Sequence, residues 1–454
     1  MTELQFREII NKSIESQLNF RNHWKPFTTD SSLVIEQQKA ESILASLEER
    51  LQNNYPFFHP SYAGQMIKPP HPIAIAAYVM AMQINPNNHA LDGGPPTAAM
   101  EMEVVEQIAE MFGYTEHLGH LTSSGTIANL EALWVARSIH PNKSIAFSSN
   151  AHYTHKRMCE VIQSSSKEID LSNLELLESE LRKGTIGTIV VTIGTTGTGA
   201  VEPLHKILPL AKRYGVRVHA DCAYGGFFML LANDNDPIVS PEPFLSIKEC
   251  DSIVIDPHKH GLQPYGCGCV LFKDINVGKF YKHDSPYTYF TSKELHLGEI
   301  SLECSRAGAS AAALWATLQA FPLKSNTGLG TILKKTRRAA LKWSELVSSS
   351  SSLIELARPD LDIVIFLPRI DPFSASHVSS ITEKIFSTGM NQSDSPVYLA
   401  TYTVDSSFIA NLHPTFIPDS PVTKVLRSVL MKPEHEQFVP ELFRKISAIA
   451  ESLI

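Results

Sequence analysis

Residues 251–263 read D-S-I-V-I-D-P-H-K-H-G-L-Q. An apolar run breaks off at Pro257, His258 and Lys259, so a strand suited to a core ends by presenting a lysine between two histidines. Four other runs share this character: SIAFSS (144–149), TIVVTIG (188–194), VRVHAD (216–221) and CGCVLF (267–272). They are continuous rather than alternating, and helical patterns separate them. Strands of this kind are buried on both faces, which predicts an α/β fold with a mostly parallel central sheet covered by helices on each side. Ligands in such sheets sit beyond the carboxyl ends of the strands. The residues following each run are therefore the ones to read for chemistry.

The chain has 454 residues, 43% apolar and 19% charged, room for one large domain and a smaller one. Its net charge of −8, from 39 basic and 47 acidic residues, comes without a basic run and argues against nucleic acid as a partner. No apolar run reaches the length of a membrane span. The N-terminal MTELQFREIINKSIESQ is charged throughout and lacks the apolar stretch of a secretory signal. Six cysteines without framework spacing suit free thiols in a reducing cytoplasm.

Residues 1–96 read as an arm without a core of its own. IEQQKAESILASLEERL (35–51) has helical apolar spacing, and YPFFHPSYAGQMIKPPHP (55–72) is rich in proline and aromatic residues, followed by a short helix around 73–83. The large domain is expected over 97–325. LDIVIFLP (361–368), VYLATYTV (397–404) and VLRSVLM (425–431) lie between helical patterns, which predicts a small C-terminal α+β domain over 326–454.

Several strand ends carry unusual residues. In LTSSGTIANLEALWVAR (121–137), Ser124, Gly125 and Thr126 open an amphipathic helix, and its free N–H groups and positive end suit a phosphate; an ordinary N-cap is the alternative. TIGTTGTG (192–199) has glycines spaced G-x-x-G-x-G, unlike the dinucleotide fingerprint. HADCAYGG (219–226) sets Asp221 at the end of an apolar strand, where a carboxylate needs a cation. Desolvation at the end of the next strand favours the neutral, nucleophilic amine of Lys259. A salt bridge for Asp221 and a snorkelling Lys259 are the alternatives. Together, a phosphate cradle, an acid for a pyridinium and an amine for an imine match the needs of pyridoxal 5′-phosphate. His152 and His155 stand three apart and Cys267 and Cys269 two apart, but no second ligand pair stands at zinc spacing, so no metal site is expected.

From His59 to Phe321 the chain resembles the group II pyridoxal-phosphate-dependent amino-acid decarboxylases, of the aspartate-aminotransferase fold type. The resemblance rests on HPSYAGQ (59–65), TSSGTIANLEAL (122–133), SSNAHYTHK (148–156), TIGTTGTGAVEP (192–203), HADCAYGG (219–226), IDPHKHG (255–261) and SRAGASAAALWA (305–316). It implies that Lys259 links covalently to the coenzyme and that Asp221 pairs with the ring nitrogen. His152 and Ala223 would cover the two ring faces, and Thr196 would reach the ring substituents. Ser124, Gly125, Thr126 and His258 would serve the phosphate side, with orientation of the imine an alternative for His258. Arg306 would hold a carboxylate or brace Asp221, and Tyr287 or Tyr289 would return the proton from a loop over 283–299. His59, Tyr62 and Gln65, with Met66 and His71 nearby, would line the substrate pocket. Met100 stands where the family commonly has threonine.

The resemblance further implies a homodimer around which the N-terminal arm wraps. It implies decarboxylation of an L-amino acid to amine and CO2, with a tyrosine-like substrate favoured. Glutamate or aspartate is the alternative substrate, and aldehyde formation or a lyase reaction the alternative chemistry.

Overall fold

The structure is a computed structural model describing residues 3–282 and 301–454. Its first sheet has seven strands: β1 (Leu118–Thr122), β2 (Ser144–Phe147), β3 (Ser166–Glu168), β4 (Ile186–Thr192), β5 (Arg217–Asp221), β6 (Ser252–Ile255) and β7 (Gly268–Phe272), in the order β1-β7-β6-β5-β4-β2-β3. Only β7 runs against its neighbours; the pairs from β6 through β3 are parallel. All five apolar runs became strands. β1 and β3 were not expected, because they are the sheet's two edges and carry polar sequences, LGHLT and SKE. Every residue of β4, β6 and β7 is buried, which accounts for their uninterrupted apolar character.

Helices pack on this sheet and lead into it. α1 (Glu3–Asn22), α2 (Gln37–Leu51), α3 (Pro72–Met82) and α4 (Pro95–Phe112) precede β1; α5 (Gly125–Ile139) follows β1 and α6 (Thr154–Val161) follows β2. α3 begins with Pro72 at its first turn, where a missing N–H costs nothing, and the His71 side chain caps it. α2 has no buried residue, and Ile43, Leu44, Leu47 and Leu51 are all about half exposed or more.

The second sheet is antiparallel: β8 (Leu353–Ala357), β9 (Ile363–Pro368), β10 (Ala400–Asp405) and β11 (Val422–Val429), in the order β10-β11-β9-β8. Its core gathers around Trp343, from the helix Leu329–Ser348, which packs against Phe366 of β9 and Phe443. β8 escaped the sequence reading because its residues LIELA put a glutamate inside a short strand.

The segment leading into β9 joins the two sheets. Asp360 accepts the Val201 N–H at 2.9 Å, and Asp362 accepts the Tyr224 hydroxyl at 2.6 Å. The other Asp362 oxygen lies 3.4 Å from His260 Nε2. Burial pushes the Asp362 carboxyl up to about 6, against the opposing pull of the Tyr224 hydrogen bond and the Lys68 charge. A carboxyl whose folded value exceeds its unfolded value of 3.8 contributes stability below that value and loses it as pH rises through about 6. The melting temperature of the native chain minus that of Asp362→Asn is therefore expected to fall between pH 4 and pH 6 and level off above. A difference that stays constant across that range would contradict this.

Candidate active site

The carboxyl ends of β1, β2, β4, β5 and β6 open on one cavity of about 280 Å³. Nine of the sequence-predicted residues line it: Ser124, Gly125, Thr126, His152, Thr196, Asp221, Ala223, His258 and Lys259. The crossover geometry of a parallel sheet brings them together, since each ends or follows a strand of the same sense.

Asp221 is the last residue of β5 and is buried. Its Oδ2 lies 2.8 Å from His155 Nε2, and its Oδ1 accepts the Ala223 N–H at 3.1 Å. Burial favours the neutral acid, but the His155 hydrogen bond and the charges of His155, Lys259 and His219 outweigh it and hold the carboxyl well below its usual range. The cavity thus contains a fixed anion.

Lys259 follows β6 on a turn in which its N–H donates to the Asp256 carbonyl at 2.9 Å. Its Nζ stands 3.2 Å from Asp256 Oδ2, and the side chain is one-fifth exposed. The amine is neither isolated nor snorkelling; it is partnered at the cavity wall. His258 Nδ1 donates to Cys267 O at 2.7 Å, and its Nε2 is 3.6 Å from Asp256. Burial, partly offset by Asp256, lowers its pKa, which favours the neutral imidazole.

α5 begins at Gly125 behind Ser124, whose Oγ accepts the Ile127 N–H at 3.4 Å. The Ser124 carbonyl takes the Ala128 N–H, so the N–H groups of Gly125 and Thr126 remain at the positive end of a fifteen-residue helix. A Cβ at Gly125 would stand 2.4 Å from an Asp256 oxygen, which is why this close approach takes glycine. Gly194, at φ +95°, lets the turn after β4 pass over Gly225 and carry Thr196 to the cavity.

On the β2 side, His152 Nδ1 lies 2.8 Å from the Thr154 hydroxyl and accepts the Thr154 N–H at 3.3 Å. Burial, opposed by Asp221, lowers its pKa, so a neutral ring faces the cavity. Two buried polar atoms on the cavity wall, Asp256 Oδ1 and Thr192 Oγ1, have no protein partner among the described residues. Unpaired buried polar atoms call for a ligand or water. The donor set is a helix N-terminus, a buried anion, a primary amine and a neutral imidazole. It fits a phosphorylated, cationic-ring aldehyde.

A second cavity of about 540 Å³ shares His152, Tyr153 and Thr196 with the first. Gln65, Met66, Ile67, Tyr265, Tyr402 and Arg427 line it. Of the expected substrate residues, then, Gln65 and Met66 are at hand. Tyr62 is buried with its hydroxyl 3.3 Å from the Gln65 N–H, His59 bonds Ser61 and packs on Phe438, and His71 caps α3 against Phe321. None of these three lines either cavity. Arg306 also lines neither cavity. Its guanidinium donates to Glu101, to Leu121 O at 2.7 Å and to Asn88 O at 2.9 Å. It locks α4 to β1 and braces neither Asp221 nor a carboxylate in these cavities. Met100 packs beside Ala81, Ala309 and Ala312, away from both. Tyr287 and Tyr289 lie outside the described residues.

Three residues of this region have contacts here that the sequence did not show. Asp256 sits within the IDPHK block and pairs with Lys259. His155 sits on Asp221. Arg427, in β11, donates to Gly197 O and Thr196 O at 2.8 Å and to Gly64 O at 3.3 Å. A signal existed for Arg427: a cation inside the apolar run VLRSVLM raises the same question as Asp221 inside VRVHAD. His155 gave no local signal, because its partner is 66 residues away.

The family model described as the pyridoxal-dependent decarboxylase conserved domain matches residues 23–366. The L-tyrosine decarboxylase of Enterococcus faecium is 26% identical over 560 aligned positions, covering 95% of this chain and 90% of that protein. A probable L-aspartate decarboxylase of Pyrococcus abyssi is 26% identical over 333 positions, covering 72% of this chain and 84% of its own. Among solved structures, Oryza sativa TDC with PLP and tryptamine aligns at a TM-score of 0.77 and 15% identity, covering 100% of this chain and 99% of that one. Mouse CSAD aligns at 0.76 and 17%, covering 95% and 91%. At such identities the structural likeness establishes the fold, the α/β architecture with a small C-terminal sheet that the sequence predicts.

Proposed function

The chain belongs to the pyridoxal-dependent decarboxylase family, and we propose that this pyridoxal-phosphate-dependent carboxy-lyase acts on an L-amino acid with an aromatic, tyrosine-like side chain. The carrying observation is the second cavity, where Met66, Ile67, Tyr265 and Tyr402 offer apolar and aromatic surface beside the coenzyme site. The similarity to a tyrosine decarboxylase over nearly the whole chain supports the same reading. Arg427 and Gln65 in that cavity, with the aspartate decarboxylase relative, favour an acidic substrate as the second reading.

Bound in the first cavity, pyridoxal 5′-phosphate supplies an electron-poor ring that accepts the electrons of the breaking Cα–carboxylate bond. The chain's residues do the rest. Lys259 is the covalent anchor, and Asp221 keeps a negative charge for the ring nitrogen. His152 and Ala223 would hold the ring between them, and Thr196 would meet its substituents. Ser124, Gly125 and Thr126 hold the phosphate at the start of α5, with His258 beside them. Arg427 is the cation available to a carboxylate of the substrate, and its anchoring on three carbonyls keeps it in place. Tyr287 or Tyr289 serves as the proton donor to Cα.

The organisation follows the same reading: an arm over 1–96, a coenzyme-binding domain over 97–325 and a small domain over 326–454. The arm wraps a second copy of the chain in a homodimer, supported by the exposed apolar residues of α2. No helix among the described residues is long and apolar enough to cross a membrane, and six free cysteines suit a cytoplasmic setting.

Measuring released CO2 over the twenty amino acids, on size-fractionated protein loaded with coenzyme, tests both parts. Turnover is expected with tyrosine, in the dimer fraction, with the amine as product. Preference for aspartate or glutamate would transfer the assignment to the acidic reading. An aldehyde product, or full activity in a monomer, would contradict the proposal.

A further inference from the structure

His155 lies outside the cavity wall, yet it makes the shortest contact to Asp221. It stands in the second position of α6, fully buried, with Nε2 2.8 Å from Asp221 Oδ2. Because Asp221 is ionised there, Nε2 carries the proton and donates. Its other nitrogen, Nδ1, is buried and has no partner among the described residues. The ring is therefore committed to one bond. Phe147 flanks it at 6.0 Å and His219 at 6.5 Å between ring centroids, and His219 is itself spent on Asn129 and Ser252. His152, Lys259 and Glu202 are the other titratable groups whose charges bear on this pair.

An apolar side chain would fill the same space. A histidine here buries a polar ring for the sake of a single bond to a carboxylate, and such a bond is worth making only if the carboxylate's state matters. We propose that His155 is a positioning residue of the decarboxylase site. It fixes the Asp221 side chain and keeps it charged, so that the coenzyme's ring nitrogen faces an oriented anion. The inference rests on the assignment of Asp221 to that nitrogen. Without the His155 donor, the buried carboxylate turns toward another donor or takes up a proton, and either outcome weakens its hold on the ring.

The test uses His155→Phe, which keeps the volume and removes the donor, and His155→Gln, which keeps an N–H in reach. His155→Asn, whose shorter amide withdraws the donor, stands in should the Phe variant not fold. Two quantities are read on the full chain: the dissociation constant for pyridoxal 5′-phosphate by fluorescence titration, and the pH midpoint of the bound coenzyme's absorbance. For Phe and Asn, coenzyme binding is expected to weaken by about tenfold or more, the size of a lost bond to a charged group. The midpoint is expected to move, while Gln stays near the native values on both. Native affinity and an unmoved midpoint in the Phe or Asn variant would overturn the proposal, as would a Gln variant as impaired as the Phe variant, which marks a purely structural role. Failure of the native chain to bind the coenzyme would instead strike the site assignment itself.

Discussion

Lys259→Arg will fold, will not hold pyridoxal 5′-phosphate covalently, and will decarboxylate amino acids roughly a thousandfold or more slowly. Arginine is the informative replacement because Lys259 does two things at once. Its ammonium stands 3.2 Å from the carboxylate of Asp256, a nearly inaccessible group, and deleting one partner of a buried ion pair destabilises strongly. A guanidinium keeps that charge but is no nucleophile at any accessible pH. Lys259→Ala removes both, so its melting temperature is expected to drop along with its activity. The comparison separates fold from chemistry: a melting temperature near native in the Arg variant with lost turnover locates the chemistry at the amine. Turnover in the Arg variant within tenfold of native, measured as CO2 release, would show that the amine is dispensable.

Asp221→Asn is expected to lower kcat by about a hundredfold to a thousandfold with a smaller change in KM. The substitution is nearly isosteric, and the single amide oxygen can still take one of the two donors, the His155 N–H or the Ala223 N–H. What disappears is the negative charge. The wild-type carboxyl is held ionised against the cost of burial by His155 and its neighbours, so the native site presents a full charge to whatever cation binds there. With an amide in its place, a bound ring would lack the carboxylate that keeps its nitrogen protonated, and the lost stabilisation would be larger in the transition state, where electrons flow into the ring, than in the ground state. That distinction predicts a kcat effect. Steady-state kinetics with the preferred substrate check it; a change confined to KM would mean that Asp221 only binds.

The coenzyme cavity was legible in the sequence because of burial. A parallel sheet makes its strands uniformly apolar, so Asp221 and Lys259 at the strand ends stood out against VRVHA and SIVI. The same sheet forces those ends to converge, so nine residues spread from 124 to 259 came out around one cavity. What stayed hidden was of a different kind. The partner of Asp221 comes from α6, the partner of Arg306 from α4, and the carboxylate that meets Tyr224 and His260 from the segment leading into β9. Each pairing crosses between elements whose relative placement no local pattern encodes. Arg306 shows the consequence. Arg306 was singled out through the family resemblance alone, and its counter-charge Glu101 sits in PPTAAMEMEVVEQ among several glutamates of similar appearance, of which only packing buries that one. His59, Tyr62 and His71 stand outside both cavities, which the sequence did not reveal for a related reason: aromatic side chains in a proline-rich segment look alike whether they cap a helix, fill a core or line a cavity.

Borohydride reduction of the coenzyme-loaded protein, followed by proteolysis and mass spectrometry, tests the central claim most directly. The account predicts a single pyridoxyl-phosphate adduct, on the peptide containing IDPHKHG and on Lys259 within it. An adduct on a different lysine, or none on a protein that still releases CO2, would contradict it.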